Sequence, residues 1–140
     1  MANPLEILRK SGVTTKSKSA EGVISELICK AFTTRNLLHF AHWNTGSFAA
    51  HMALGDLYDE IIDDIDEIVE VYQGKFGLIQ NLHTDSATLP KDICGHVKAE
   101  ASWVQDNRTF IGRGDTSIEN LLDTLMGHYH KTVYKLENLK

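Results

Sequence analysis

At 140 residues the chain has the length of one domain, and a hydrophobic content of 42% is enough for one core. No apolar run approaches the roughly 20 residues of a membrane span, and the start Met-Ala-Asn-Pro-Leu-Glu lacks the charged-then-apolar pattern of a secretion signal, so a cytoplasmic protein without a membrane partner is expected. The formal net charge of -5 is uneven, with eight acids from Asp56 to Glu70, whereas the first twenty residues carry Arg9, Lys10, Lys16 and Lys18 against Glu6 alone.

Residues 1–19 therefore read as a flexible basic arm and residues 20–140 as the folded domain. Four cations make a sparse phosphate-binding footprint unless an oligomer presents many arms together, so nonspecific DNA contact is the extent of the nucleic-acid expectation. Cys29 and Cys94 both fall inside helical patterns, which suits buried free thiols and gives no disulfide framework.

Four helices can be predicted in chain order. The first spans about Ala20 to Asn44, with Ser19 as N-cap and Val23, Ile24, Leu27, Ile28, Ala31, Leu38 and Ala41 at helical spacing. Thr45-Gly46-Ser47 supplies a break and a new N-cap. Leu54, Leu57, Ile61, Ile65, Ile68 and Tyr72 then form one stripe until Gly74 and Gly77 end the second helix. Residues 74–89 form a connector with a short helical turn around Phe76 to Leu82, and Pro90 suits the first position of a third helix reaching Ile111. Gly112-Arg113-Gly114 interrupts the pattern, and Thr116-Ser117-Ile118-Glu119 has the form of a capping box opening a fourth helix. No segment reads as a strand pair, so the expected fold is all-α, an antiparallel four-helix bundle.

A helical wheel of the second helix, with His51 at zero and 100° per residue, puts Leu57, Ile61, Ile65, Ile68 and Tyr72 between about 240° and 320°, the bundle-facing stripe. His51, Asp59, Asp66 and Glu70 fall between about 0° and 100°, bordering the core. Asp56, Glu60, Asp63, Asp64 and Glu67 lie further round, on what reads as a solvated face. At about 1.5 Å rise per residue, His51 and Asp66 are roughly 22 Å apart and cannot share a metal within one subunit. Two copies of this helix packed antiparallel about a twofold axis would bring the histidine end of one to the carboxylate end of the other.

The segment Leu38-His39-Phe40-Ala41-His42-Trp43-Asn44, then Phe48-Ala49-Ala50-His51, then Leu54, Asp66 and Glu70, resembles the first helical hairpin of the Dps family, the ferritin-like DNA-protecting proteins of starved cells. The resemblance covers roughly residues 36–74; beyond it the chain matches in helix length and order. It implies a ferritin-like bundle, a homo-oligomer of at least two chains, in that family usually a dodecameric shell, and a metal site bridging twofold-related subunits. Carried over by position, His42 and His51 are the histidines of one subunit, and Asp66 and Glu70, fifteen and nineteen residues after His51, are the carboxylates of its neighbour. These four residues would be both the metal ligands and the catalytic residues of a ferroxidase centre, mononuclear or di-iron, oxidising Fe(II) with peroxide or dioxygen and storing the ferric product. Imidazole and carboxylate suit divalent first-row metals, so Zn(II) is the expected surrogate.

Two features depart from the family pattern. The His42 to His51 interval is three residues shorter, requiring a tighter turn, and Gly55 stands where the family commonly has a ligating aspartate. Gly55 reads as allowing close helix approach at the subunit interface and leaving a sparser site. The competing expectation is a non-catalytic structural or interaction protein of ferritin-like ancestry that lost turnover with that ligand. A mononuclear Zn(II)-binding bundle is a third. Trp43 reads as interfacial packing. His39, His83 and His96 read as packing or hydrogen-bonding residues, and His128 and His130 diverge too far around one helix to chelate jointly.

Overall fold

The structure, a computed structural model, describes residues 19–140. Except for Ser19, the basic arm expected over residues 1–19 lies outside the described residues, as does its expected DNA contact. Four helices make up the described chain: α1 (Ala20–Trp43), α2 (Phe48–Phe76), α3 (Ile93–Gly112) and α4 (Thr116–Asn138). No strand occurs among the described residues, and no described helix is long and apolar enough to cross a membrane.

Short turns fold α1 onto α2 and α3 onto α4, while α1 also packs on α3 and α2 on α4. Side-chain contacts fix the directions. Thr34 meets His96 and Lys30 meets Glu100, so α1 and α3 run antiparallel. Asp64 meets His128 and Asp56 meets Lys135, so α2 and α4 do as well. The predicted stripe of α2 is buried as expected, with Leu57, Ile61 and Ile68 fully inaccessible and packed with Leu27, Leu38, Leu122 and Leu125 in one core.

With both hairpins antiparallel, the chain leaves α2 at the end where α1 begins and must enter α3 at the end where α1 finishes. Residues 77–92 make that crossing without helix. They run along α1 from its start: the Gln80 amide donates to Glu21, the Ser25 hydroxyl to the Asn81 carbonyl, and Leu89 to Lys91 border Ala41 and Asn44. Ile79 and Leu89 anchor the segment on the core.

The helix ends correct four local expectations. Gly74 lies inside α2, which continues to Phe76; the stop is Gly77, whose φ of 92° is left-handed backbone that a side chain would strain. No helical turn follows Phe76. Pro90 belongs to the crossover, and α3 is instead capped by Asp92, whose carboxylate accepts from the Gly95 amide at 2.8 Å. The cap of α4 is Asp115, not Thr116, and the expected reciprocal Glu119 contact is replaced by an ion pair with Arg108 at 2.9 Å.

Asp115 also holds the Lys75 ammonium at 2.5 Å, tying the end of α2 to the start of α4. That contact, with the Ser117 hydroxyl and two backbone amides, holds its carboxyl well below the usual carboxylate range. A depressed carboxylate stabilises the fold above its unfolded value and loses that contribution as pH falls. Asp115→Ala is therefore expected to melt at lower temperature than the parent at neutral pH, with the difference closing on acidification below about pH 4; thermal melts across that range check it, and a constant difference would contradict it.

Candidate metal site at the α1–α2 hairpin

The hairpin turn places the two predicted histidine ligands. Asn44 closes α1 by donating to the Phe40 and Ala41 carbonyls, the Thr45 hydroxyl accepts from the Ser47 amide, and Ser47 caps α2 by accepting from the Ala50 amide. This short connection brings His42, in the last turn of α1, against His51, in the first turn of α2. Their rings stack with centroids 3.6 Å apart and planes 19° from parallel.

Nδ1 of His42 lies 2.6 Å from the His51 carbonyl oxygen, and Nδ1 of His51 lies 2.8 Å from the His42 carbonyl oxygen. A carbonyl can only accept, so each Nδ1 is the protonated nitrogen and, in the neutral ring, each Nε2 carries the lone pair. Fixing one ring nitrogen against a carbonyl is how ligating histidines are commonly oriented. The shorter His-to-His interval thus has a structural consequence: the two helices are braced to each other through their histidines.

Gly55 explains why His42 can sit so close. An ideal Cβ at Gly55 would lie 3.0 Å from Cε1 and 3.1 Å from Nδ1 of His42, inside normal van der Waals contact. The close approach expected of Gly55 at a subunit interface is therefore used within the chain, by its own His42.

Around the pair lies an aromatic cluster. His39 stacks on Tyr58 at 4.3 Å and packs against Trp43 at the same distance, Tyr58 meets His42 edge-on at 5.4 Å, and the Arg35 guanidinium lies over the Tyr58 ring. Tyr58 carries no motif of its own in the sequence, although its place one helical turn after Gly55 on the His51 helix is a usable signal. Trp43 and Phe48 flank the turn and are 67% and 77% exposed, and Phe40 and Met52 extend the apolar surface along the two helices. Large apolar side chains exposed together mark a surface suited to a partner.

The carboxylates lie elsewhere. Asp66 and Glu70, on the C-terminal half of α2, are exposed, as is Asp59 nearer its middle, so in the single chain they face solvent instead of bordering the core. Among the described residues no group of three or more His, Cys, Asp or Glu side chains is arranged to hold a metal ion. One chain brings His42 and His51 together and leaves Asp66 and Glu70 apart from them.

A second polar group, unforeseen in the sequence, lies between the helices. Asp64, expected on the solvated face, is buried with its carboxylate 2.5 Å from Nδ1 of His128, and Glu60 approaches the same nitrogen at 3.9 Å. The wheel had placed Asp64 only about 20° from Leu57, the edge of the core stripe. Across the bundle Glu100 is buried beside Lys30 at 3.1 Å, and His96 bonds Thr34 at 2.9 Å. Tyr129 is fully buried, and burial together with the charges of Glu100 and Asp64 pushes its phenol strongly up, so it stays neutral. Burial likewise raises the thiols of Cys29 and Cys94, which leaves neither as an activated nucleophile.

A profile of the family of unknown function DUF5856 matches residues 42–136. The chain belongs to that family. The matched DUF5856 region opens at His42 and contains His51, Gly55, Asp66 and Glu70, together with α2, the crossover, α3 and most of α4. No curated protein and no solved structure matches the chain.

Proposed function

We propose that this DUF5856 protein is a ferritin-like, Dps-like homo-oligomer that binds Fe(II) where two chains meet and oxidises it. His42 and His51 of one chain and Asp66 and Glu70 of the other form the site. The observation that carries the reading is the reciprocal Nδ1–carbonyl bonding of His42 and His51, which leaves Nε2 of each neutral ring as the nitrogen with a lone pair to donate. The single long crossover beside two antiparallel hairpins supports a ferritin-like topology, since bundles of that class have one such connection.

The donor set fits iron as substrate. Neutral imidazoles accept Fe(II), and two carboxylates favour the higher charge of Fe(III), so their combination makes loss of an electron easier. Two Fe(II) supply the two electrons that reduce one peroxide, with two protons, to two waters. The residues of the chain hold and orient the ion; exposed Trp43, Phe48 and Met52 supply apolar surface for the facing copy to cover, which would exclude water from the site.

The test is to mix the protein with Fe(II) under anaerobic conditions, add peroxide, and follow ferric absorbance. Rapid ferric formation that disappears in His42→Ala is the expected result; equal rates in parent and variant would contradict the reading. The alternative, a non-catalytic structural or interaction protein of ferritin-like ancestry, draws on Gly55, which stands where the Dps family commonly has a ligating aspartate. It predicts a stable oligomer with no saturable Fe(II) uptake.

A further inference from the structure

We propose that Gly55 is a positioning residue for metal binding: carrying no side chain, it lets His42 settle on α2 and present Nε2, and a carboxylate there would displace this ligand instead of completing the set. The inference rests on the reading of His42 and His51 as ligands.

Of the two His42 atoms nearest the missing Cβ, one is Nδ1, the atom that bonds the His51 carbonyl. A side chain at Gly55 would push on the ring at the very edge that carries this bond. Moving the ring away stretches a 2.6 Å hydrogen bond, and its face is already in contact with His51 at 3.6 Å. Tyr58 stands edge-on to the same ring. The ring is constrained by a bond, a stacked neighbour and the bare backbone of Gly55, and a Cβ at 3.0 Å removes the last of these. Nε2 lies further from that Cβ, at 4.0 Å, so the nitrogen left for a metal is the one that Gly55 keeps clear. A side chain at residue 55 therefore requires the His42 ring to give by a few tenths of an ångström against its hydrogen bond and its stacked neighbour, and the missing aspartate accompanies a different way of holding the histidine.

Three variants test this: Gly55→Ala, Gly55→Asp, and Gly55→Ala combined with His42→Ala. Nitrogen NMR of the imidazoles is expected to show His42 as the Nδ1–H tautomer in the parent and to lose that signature in both single variants. Anaerobic titration with Fe(II), and separately with Zn(II), is expected to show affinity lower by about 10- to 100-fold in both, as for loss of a group that orients a ligand. Thermal melts separate positioning from general damage. Gly55→Ala should lower the melting temperature when His42 is present and leave it equal or higher in the His42→Ala background, where alanine's helix preference acts without a clash. Tighter binding by Gly55→Asp, an unchanged His42 tautomer in Gly55→Ala, or equal destabilisation in both backgrounds would each overturn the proposal. If the parent takes up neither metal, the ligand reading itself fails, and the melts still decide whether Gly55 positions His42.

Discussion

Mixing two inactive variants is expected to restore Fe(II) oxidation. His51→Ala removes a ligand at one end of α2 and Asp66→Ala removes one at the other, roughly 22 Å away along the helix. If each site takes its histidines from one chain and its carboxylates from another, either change abolishes every site in its own homodimer. In a heterodimer one site carries both defects and the other carries neither. Random reassociation makes half the dimers mixed, so about a quarter of the parental sites return. Co-refolding equal amounts of the two variants and measuring ferric formation reads this directly. Recovery would exclude a site contained within one chain; full activity of either variant alone would show that the replaced side chain is not required.

The second large effect concerns stability and is independent of any metal. Replacing His128 by alanine leaves the Asp64 carboxylate, which is 10% exposed, without its close partner. Breaking a fully buried pair costs about 3–5 kcal/mol. The His128 side chain is 28% exposed, so water can reach the vacated space, and a loss of about 1–3 kcal/mol is expected. The double variant with Asp64→Ala should be less destabilised than the sum of the two single changes, because no orphaned charge remains. Urea unfolding of the four proteins measures the coupling, and strict additivity would show that the contact contributes little.

What the sequence revealed follows from what periodicity can encode. The apolar stripe of α2, the Ser19 and Ser47 caps and the break after Asn44 were legible because each is a local pattern with one physical reading. Asp64 was not, since a carboxylate near the edge of a stripe is buried or exposed according to what the opposite helix offers, here His128. The path of residues 77–92 was not legible either, because an extended segment pinned by single bonds to α1 has no period. Pro90 pointed to the wrong helix start because Asp92, two residues later, offers a side-chain cap that proline cannot.

At the candidate site, spacing identified His42 and His51 as a pair but could not supply their orientation. The reciprocal bonds need both helices and the short turn in place, and only then does Gly55 show its role, since a glycine in sequence does not reveal which neighbour uses its space. Asp66 and Glu70 could be put on one flank of α2, and in the structure both are exposed there, apart from the histidine pair.

The measurement that bears most directly on the central claim is anaerobic calorimetric titration of the metal-free protein with Fe(II), scored as ions bound per chain. A site of His42, His51, Asp66 and Glu70 shared between two chains predicts saturable uptake of one or two ions per chain. Absence of saturable binding would contradict the account and leave a four-helix DUF5856 protein whose histidines brace a hairpin and hold no metal.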